Sequence, residues 1–196
     1  MSTIVTKRPV EPGDFYQLPD DKTFDFIDGD LLVRDMSVES SWIAGKILRL
    51  VGNYAEDGGL GWVFAADLGC RCFPDLPHQI RKPHLTFVRS DRFSADQIGE
   101  GSLRVMPDLV VEVVSPNDTY GEVEEKVEMF HKVGVPLIWV VSPSTRTVRV
   151  VRPDKSISRL SEGDELSGEA VIPGFACPVA AIFPPKQAPA NGAPGT

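Results

Sequence analysis

The residue of this sequence that most clearly suggests chemistry is Glu112, which interrupts a run of apolar residues between Leu109 and Val114. A continuous apolar run of this kind is typical of a strand that is buried on both faces of a sheet. A carboxylate in such a strand is costly unless it is paired with a cation or bound to a metal ion. Glu112 is therefore interpreted either as a catalytic or metal-binding carboxylate or as half of a salt bridge. Asp108 would lie on the same strand face, about 13 Å from Glu112, and we expect an exposed, turn-capping role for it after Pro107.

Lys126 has an unusual position on the helix that follows this strand. Val123, Val127 and Phe130 define the apolar stripe of the helix, and at about 100° per residue Lys126 falls inside that stripe. A lysine in this position either extends along the stripe to reach water or reaches a carboxylate on the preceding strand. Since Glu112 lies on that strand, Lys126 is a natural partner for it.

His84 lies at the start of another strand, on the same face as Lys82 and Thr86, while Leu85 and Phe87 occupy the opposite face. A single histidine is more often structural than a ligand. From the residues alone, both interpretations of His84 stay open.

The net charge of the chain restricts how it could bind nucleic acid. The formal net charge is −8, whereas proteins that hold DNA by neutralising phosphates are usually basic. A nucleic-acid role therefore requires a local basic patch, a bound cation or a partner subunit. Four basic residues could contact phosphates or could form an ordinary solvated face, namely Arg81, Lys82, Arg89 and Arg92.

The elements that must position these side chains form an α/β pattern, with α+β as the neighbouring class. An Asp28-Gly29 turn predicts an N-terminal β-hairpin. Two main helices are predicted, one capped by Ser37 and ending at Gly58-Gly59, and one over about residues 120–133. The apolar runs predict strands of a central mixed sheet at residues 61–64, 85–89, 109–114, 137–141 and 147–151, and residues 68–73 either continue the first of these strands or form another one.

Length and composition indicate one globular domain, over residues 12–183, followed by a disordered Pro/Ala/Gly tail at 184–196. No run approaches the length of a membrane span, and the N-terminus has no apolar signal region, so we expect a cytoplasmic protein. The three cysteines are expected to be reduced, buried thiols. Phosphate-binding glycine loops, a nucleophile elbow and zinc-ligand spacings are absent from the sequence.

Taken in order, these segments resemble a known family. An entry of the form F-x-x-L-P-D, the Ile27-Asp28-Gly29 hairpin, the strand 81–88, the segment 107–116 and the Gly134-Val135-Pro136 and Trp139-Val140-Val141 motifs are similar to the Uma-two family of bacterial restriction endonucleases. The resemblance covers nearly all of residues 12–183. It implies a single restriction-endonuclease-like domain of the PD-(D/E)XK nuclease type.

The resemblance also implies a site for a divalent metal ion, Mg²⁺ or Mn²⁺. It assigns catalytic roles to Glu39, Glu112 and Lys126, with Lys126 on the helix replacing the lysine that such nucleases usually carry at position 114. It places the metal ligands at Glu112 and at position 84, where this chain has His84 instead of the family's Asp. Imidazole suits Mn²⁺ better than Mg²⁺.

Two functions follow as expectations. The first is a metal-dependent endonuclease that hydrolyses DNA phosphodiester bonds at a degenerate site. The second is a catalytically inactive homologue that binds DNA, through residues such as Arg81 and Lys82, or binds a protein. A homodimer is compatible with either function, because duplex DNA has two-fold symmetry.

Overall fold

The structure is a computed structural model that describes residues 23–27, 30–34, 36–99 and 101–186. Strands β1 (Thr23–Ile27) and β2 (Asp30–Arg34) pair antiparallel, which confirms the predicted N-terminal hairpin. The turn residues Asp28 and Gly29 lie outside the described residues. So do residues 12–22 of the predicted domain and residues 187–196 of the predicted tail.

A six-stranded mixed sheet forms the centre of the domain. Its strand order is β3-β4-β5-β6-β7-β8, and β5 and β6 are parallel while every other neighbouring pair is antiparallel. A parallel pair needs a crossover connection, and helix α2 supplies it. This arrangement confirms the predicted α/β class with its mixed sheet. The strands are β3 (Gly61–Ala65), β4 (Leu85–Arg89), β5 (Leu109–Val113), β6 (Leu137–Ser142), β7 (Thr147–Val151) and β8 (Ile157–Leu160).

Helix α1 (Val38–Asp57) covers one face of this sheet. Its N-terminus is capped by Ser37, whose side chain accepts a hydrogen bond from the Ser40 N–H at 3.0 Å, as the sequence predicts. Ile43, Ile47 and Val51 are fully buried in the core on this face. The sheet residues on the same side are Leu85, Phe87, Leu109, Val111, Val113, Leu137, Trp139, Val141, Val148 and Val150.

Helix α2 (Tyr120–Lys132) covers the opposite face. A capping box joins Thr119 and Glu122 at its start, and Gly134 follows its end with a φ of 87° that favours glycine. The apolar stripe of α2 packs against Val110, Ile138, Val140 and Val151. Because strand side chains alternate between faces, Glu112 lies on the α2 side of the sheet, between Val110 and Val114 in sequence.

The prediction of a strand at residues 68–73 is wrong. Within this segment only Cys70 makes bridges, to Arg81 and to Leu103, and its neighbours form irregular backbone. Gly69 within the run and Pro74 directly after it limit any longer pairing. The sequence reading also missed β8 and the short hairpin of β9 (Glu165–Ser167) and β10 (Ala176–Pro178), whose strands are too brief to show a period.

Two smaller expectations concern the cysteines and the chain end. All three cysteines are free, buried thiols, as predicted. Residues 184–186 contact the domain, because the Pro184 carbonyl accepts a hydrogen bond from Arg146 and Lys186 pairs with Glu162 at 2.6 Å. None of the described helices is long and apolar enough to cross a membrane.

Candidate functional site

A buried histidine–glutamate pair lies on the α2 face of the sheet. Nδ1 of His84 is 2.8 Å from Oε2 of Glu112, and the two residues are only 4% and 5% exposed. The N–H of Val113 also points to Nδ1, at 3.2 Å. The two groups that the resemblance assigns to a metal ion therefore contact each other directly.

The pairing of β4 with β5 positions these two side chains. His84 immediately precedes β4, and its N–H donates to the Val111 carbonyl at 3.0 Å. Leu85 then faces Val111 in the antiparallel register. This register places His84 beside Glu112 on the same face.

Lys126 lies on the flank of α2 that is nearest to β4. Glu124 marks the opposite flank, because it pairs with Arg149 of β7. Lys126 is about 200° around the helix from Glu124, on the same side as Glu125, which accepts a hydrogen bond from Arg81 at 3.2 Å. The half-buried Lys126 is thus directed to the side of the sheet that carries His84 and Glu112.

Glu39 is not brought to the pair. It lies exposed in the first turn of α1, which packs on the other face of the sheet. Its neighbour Ser40 is fully buried instead, and its Oγ donates to the Val114 carbonyl at 3.3 Å. The helix therefore contacts the end of β5 through Ser40, and Glu39 beside it is exposed.

The donor set limits which metal ion could bind. In the part of the chain that the structure describes, no three His, Cys, Asp or Glu side chains are grouped as metal ligands. His84 and Glu112 provide one imidazole and one carboxylate. Mg²⁺ prefers oxygen ligands in octahedral geometry, so this pair does not fit it well, whereas Mn²⁺ accepts imidazole together with carboxylate, water and phosphate oxygens.

The predicted basic group is divided between two places. Arg81 is 3% exposed and bonded to Glu125, so a solvated face is wrong for this residue. Lys82 lies beside it, half-buried. At the other end of β4, its last residue Arg89 pairs with Asp91, and Arg92 in the following turn pairs with Asp108.

Asp108 corrects a second expectation. It is 4% exposed rather than an exposed turn cap. It accepts a hydrogen bond from the Arg89 N–H at 2.9 Å and another from Arg92 at 2.6 Å. Asp108 therefore closes the loop that joins β4 to β5, and it does not join the His84–Glu112 pair.

A cleft that the sequence reading missed adjoins this pair. It encloses about 410 Å³, beside the ends of β5 and β6 and the start of α2. Val140, the direct neighbour of Glu112 on β6, forms part of its wall. The available sequence signal for this cleft was the arginine among the valines of β7. The wall also includes Val114, Tyr120, Val123, Thr147, Arg149 and Arg159.

Comparison with known proteins identifies the family. The sequence model of the Uma2 family, described as "Putative restriction endonuclease", matches residues 12–180. The chain belongs to the Uma2 family. The match includes His84, Glu112 and Lys126, and it confirms the resemblance that the sequence motifs indicate.

A solved structure has the same fold. It is the crystal structure of a protein from Anabaena variabilis ATCC 29413, described as a "putative nuclease belonging to DUF820". The TM-score is 0.76 with 17% sequence identity, over 89% of this chain and 98% of the other. No curated protein matches the sequence. The Uma2 match and this shared fold together support a nuclease.

Proposed function

We propose that this protein is a DNA endonuclease with a degenerate site on the α2 face of its sheet. The observation that carries the proposal is the buried pair of His84 and Glu112, 2.8 Å apart, in a chain of the Uma2 family. A buried carboxylate in the middle of a sheet is costly, and function is a common reason to retain one. Lys126 lies on the adjacent flank of α2.

The residues of the site have distinct roles in this proposal. Glu112 accepts the proton of the attacking water, and His84 fixes the orientation of its carboxylate. Lys126 contributes a positive charge, which stabilises the negative charge that develops on the phosphate in the transition state. A divalent ion, Mn²⁺ in preference to Mg²⁺, would be held by Glu112 and His84 and would polarise the scissile phosphate.

The degeneracy concerns position 84. An Asp there would add a second negative charge for a cation, whereas His84 adds none and instead contacts Glu112 directly. A cation would therefore compete with His84 for the carboxylate of Glu112. We expect weak hydrolysis that depends on Mn²⁺.

Nicking of supercoiled plasmid DNA tests this function. We expect the wild type to nick the plasmid with Mn²⁺, to nick it more slowly with Mg²⁺ and to stop with a chelator. Glu112→Gln should reduce the rate by at least about a hundredfold, since general acid–base groups contribute roughly 10²–10⁴. The matched control is Glu56→Gln, an exposed glutamate at the end of α1, which should leave the rate unchanged. Nicking that survives Glu112→Gln would refute the assignment.

The same hydrogen bond between His84 and Glu112 favours a second candidate function. A nuclease-fold protein whose metal site is closed by this hydrogen bond would bind DNA without cleaving it. In that case the wild type binds duplex DNA with strong salt dependence and does not nick it, and only His84→Asp nicks. Nicking by the wild type excludes this second function.

A further inference from the structure

A row of side chains crosses the α2 face of the sheet from the candidate site to the edge strand. Glu112 faces Val140 on β6, Val140 faces Arg149 on β7, and Arg149 faces Arg159 on β8. Neighbouring strands are about 4.8 Å apart. Arg149 and Arg159 are therefore about 10 and 14 Å from Glu112 across the strands.

The two arginines at the end of this row form a like-charged cross-strand pair. Like charges directly opposite each other destabilise a sheet unless an opposite charge lies between them. Arg149 is neutralised by Glu124 of α2. Arg159 is exposed and makes no ion pair or hydrogen bond with the residues that the structure describes. The pair thus retains one positive charge that an anion would neutralise.

The remaining wall of the cleft contains hydroxyl side chains, but part of it is suited to a planar apolar group. Val114, Val123 and Val140 line one part of it, and Tyr120, which is 77% exposed, lies at the rim. An exposed tyrosine beside an apolar wall is a surface on which a nucleic-acid base can stack. Asp118 also lines the cleft, but its carboxylate is bonded to the Ser115 N–H at 2.7 Å.

We infer that this cleft binds one nucleotide, with its base against Tyr120 and the three valines and its phosphate at Arg159. The volume of about 410 Å³ is within the range of small-ligand sites. The nucleotide is either part of the strand that passes Glu112 or a free nucleotide, since both present the same base and phosphate. The inference rests on the proposed function only for the first source.

The test compares four probes by calorimetry and fluorescence anisotropy: thymidine 5′-monophosphate, thymidine, inorganic phosphate and a labelled 12-nucleotide single strand of thymidylate. We expect the monophosphate to bind more tightly than thymidine or phosphate. Arg159→Ala should weaken its binding about tenfold or more, because a bond to a charged group is lost. Tyr120→Ala should weaken it at least about fivefold through the lost stacking.

A matched control separates the cleft from general electrostatics. Arg49 is exposed on α1, on the other face of the sheet, and has no acidic partner among the described residues. Arg49→Ala should therefore leave binding unchanged. Equal effects of Arg49→Ala and Arg159→Ala, or phosphate that binds as tightly as the monophosphate, would overturn the inference.

The experiment distinguishes the two sources of the nucleotide, and it separates the nucleotide site from the proposed endonuclease function. Binding of both the single strand and the monophosphate, weakened by Arg159→Ala, supports a subsite for the substrate strand. Binding of the monophosphate alone supports a site for a free nucleotide. Glu112→Gln should abolish nicking and leave monophosphate binding intact, so a protein that never nicks but binds the nucleotide refutes only the proposed function.

Discussion

Replacing His84 by Asp should make the stability of the domain depend on a divalent cation. The substitution removes the bond of 2.8 Å between His84 and Glu112 and places a second carboxylate beside Glu112. Breaking a buried pair by removing one partner costs about 3–5 kcal/mol. For a domain of this size about 1 kcal/mol corresponds to roughly 2–4 °C in Tm, so we expect His84→Asp to lower Tm by roughly 10 °C without metal.

Divalent cations should then reverse most of this loss. A cation at a hundred times its Kd stabilises the folded state by about 2.7 kcal/mol, which is roughly 5–10 °C here. In the wild type the contact between His84 and Glu112 opposes binding of the cation, and we expect a shift in Tm below about 2 °C, as for a weakly bound ion. Differential scanning fluorimetry at pH 8 with and without Mn²⁺ measures both shifts.

A matched control and a clear contrary result accompany this experiment. His78 is exposed, so His78→Asp adds the same charge without touching Glu112 and should shift Tm little under either condition. If His84→Asp is as stable as the wild type without metal, or if Mn²⁺ shifts both proteins equally, the His84–Glu112 pair does not have the role assigned to it.

Three further predictions concern the packing, the ion pairs and the buried thiols of the domain. Phe130→Ala should cost about 3–5 kcal/mol in urea unfolding, because Phe130 is fully buried, whereas a loss below 1 kcal/mol would contradict this packing of α2. Arg146 and then Lys186 lower the pKa of Glu162 to about 2. The stabilising contribution of Glu162 is therefore present above its unfolded pKa and is lost as the pH falls from about 4.5 to about 2. Glu162→Gln should flatten the dependence of the free energy of unfolding on pH in this window, and an unchanged profile would refute this prediction. Burial raises the pKa of the Cys72 thiol to about 12 and that of Cys177 to about 11, so Ellman's reagent at pH 8 should react with them only after unfolding.

Much of the fold could be predicted from the spacing of apolar residues in the sequence. The valine run around Glu112 predicted a doubly buried strand, and β5 is buried at every position. The Ser37 cap and the glycine at 134 marked helix ends correctly, because capping depends on local backbone geometry. The prediction of a strand at residues 68–73 failed because the apolar residues of this segment are buried by packing on α2 and not by a strand ladder.

The candidate site was recognisable in part from residue types. Glu112 and Lys126 conflict with their apolar surroundings, and such conflicts are visible in a sequence. The bond between His84 and Glu112 was not visible, since it depends on the register of β4 on β5. Glu39 and Ser40 are adjacent in sequence, and only the rotation of α1 decides that Ser40 faces the sheet.

The sequence by itself determined the alternation of helices and strands, the class of the sheet and two ionisable residues at apolar positions, because these features arise from interactions between near neighbours in the chain. The tertiary structure alone decided which charged side chains form ion pairs. It joined Arg81 to Glu125, Arg92 to Asp108 and Arg149 to Glu124. It also set Arg159 opposite Arg149. These contacts join separate elements of the fold, and their positions are fixed by strand order and register, which no local pattern encodes.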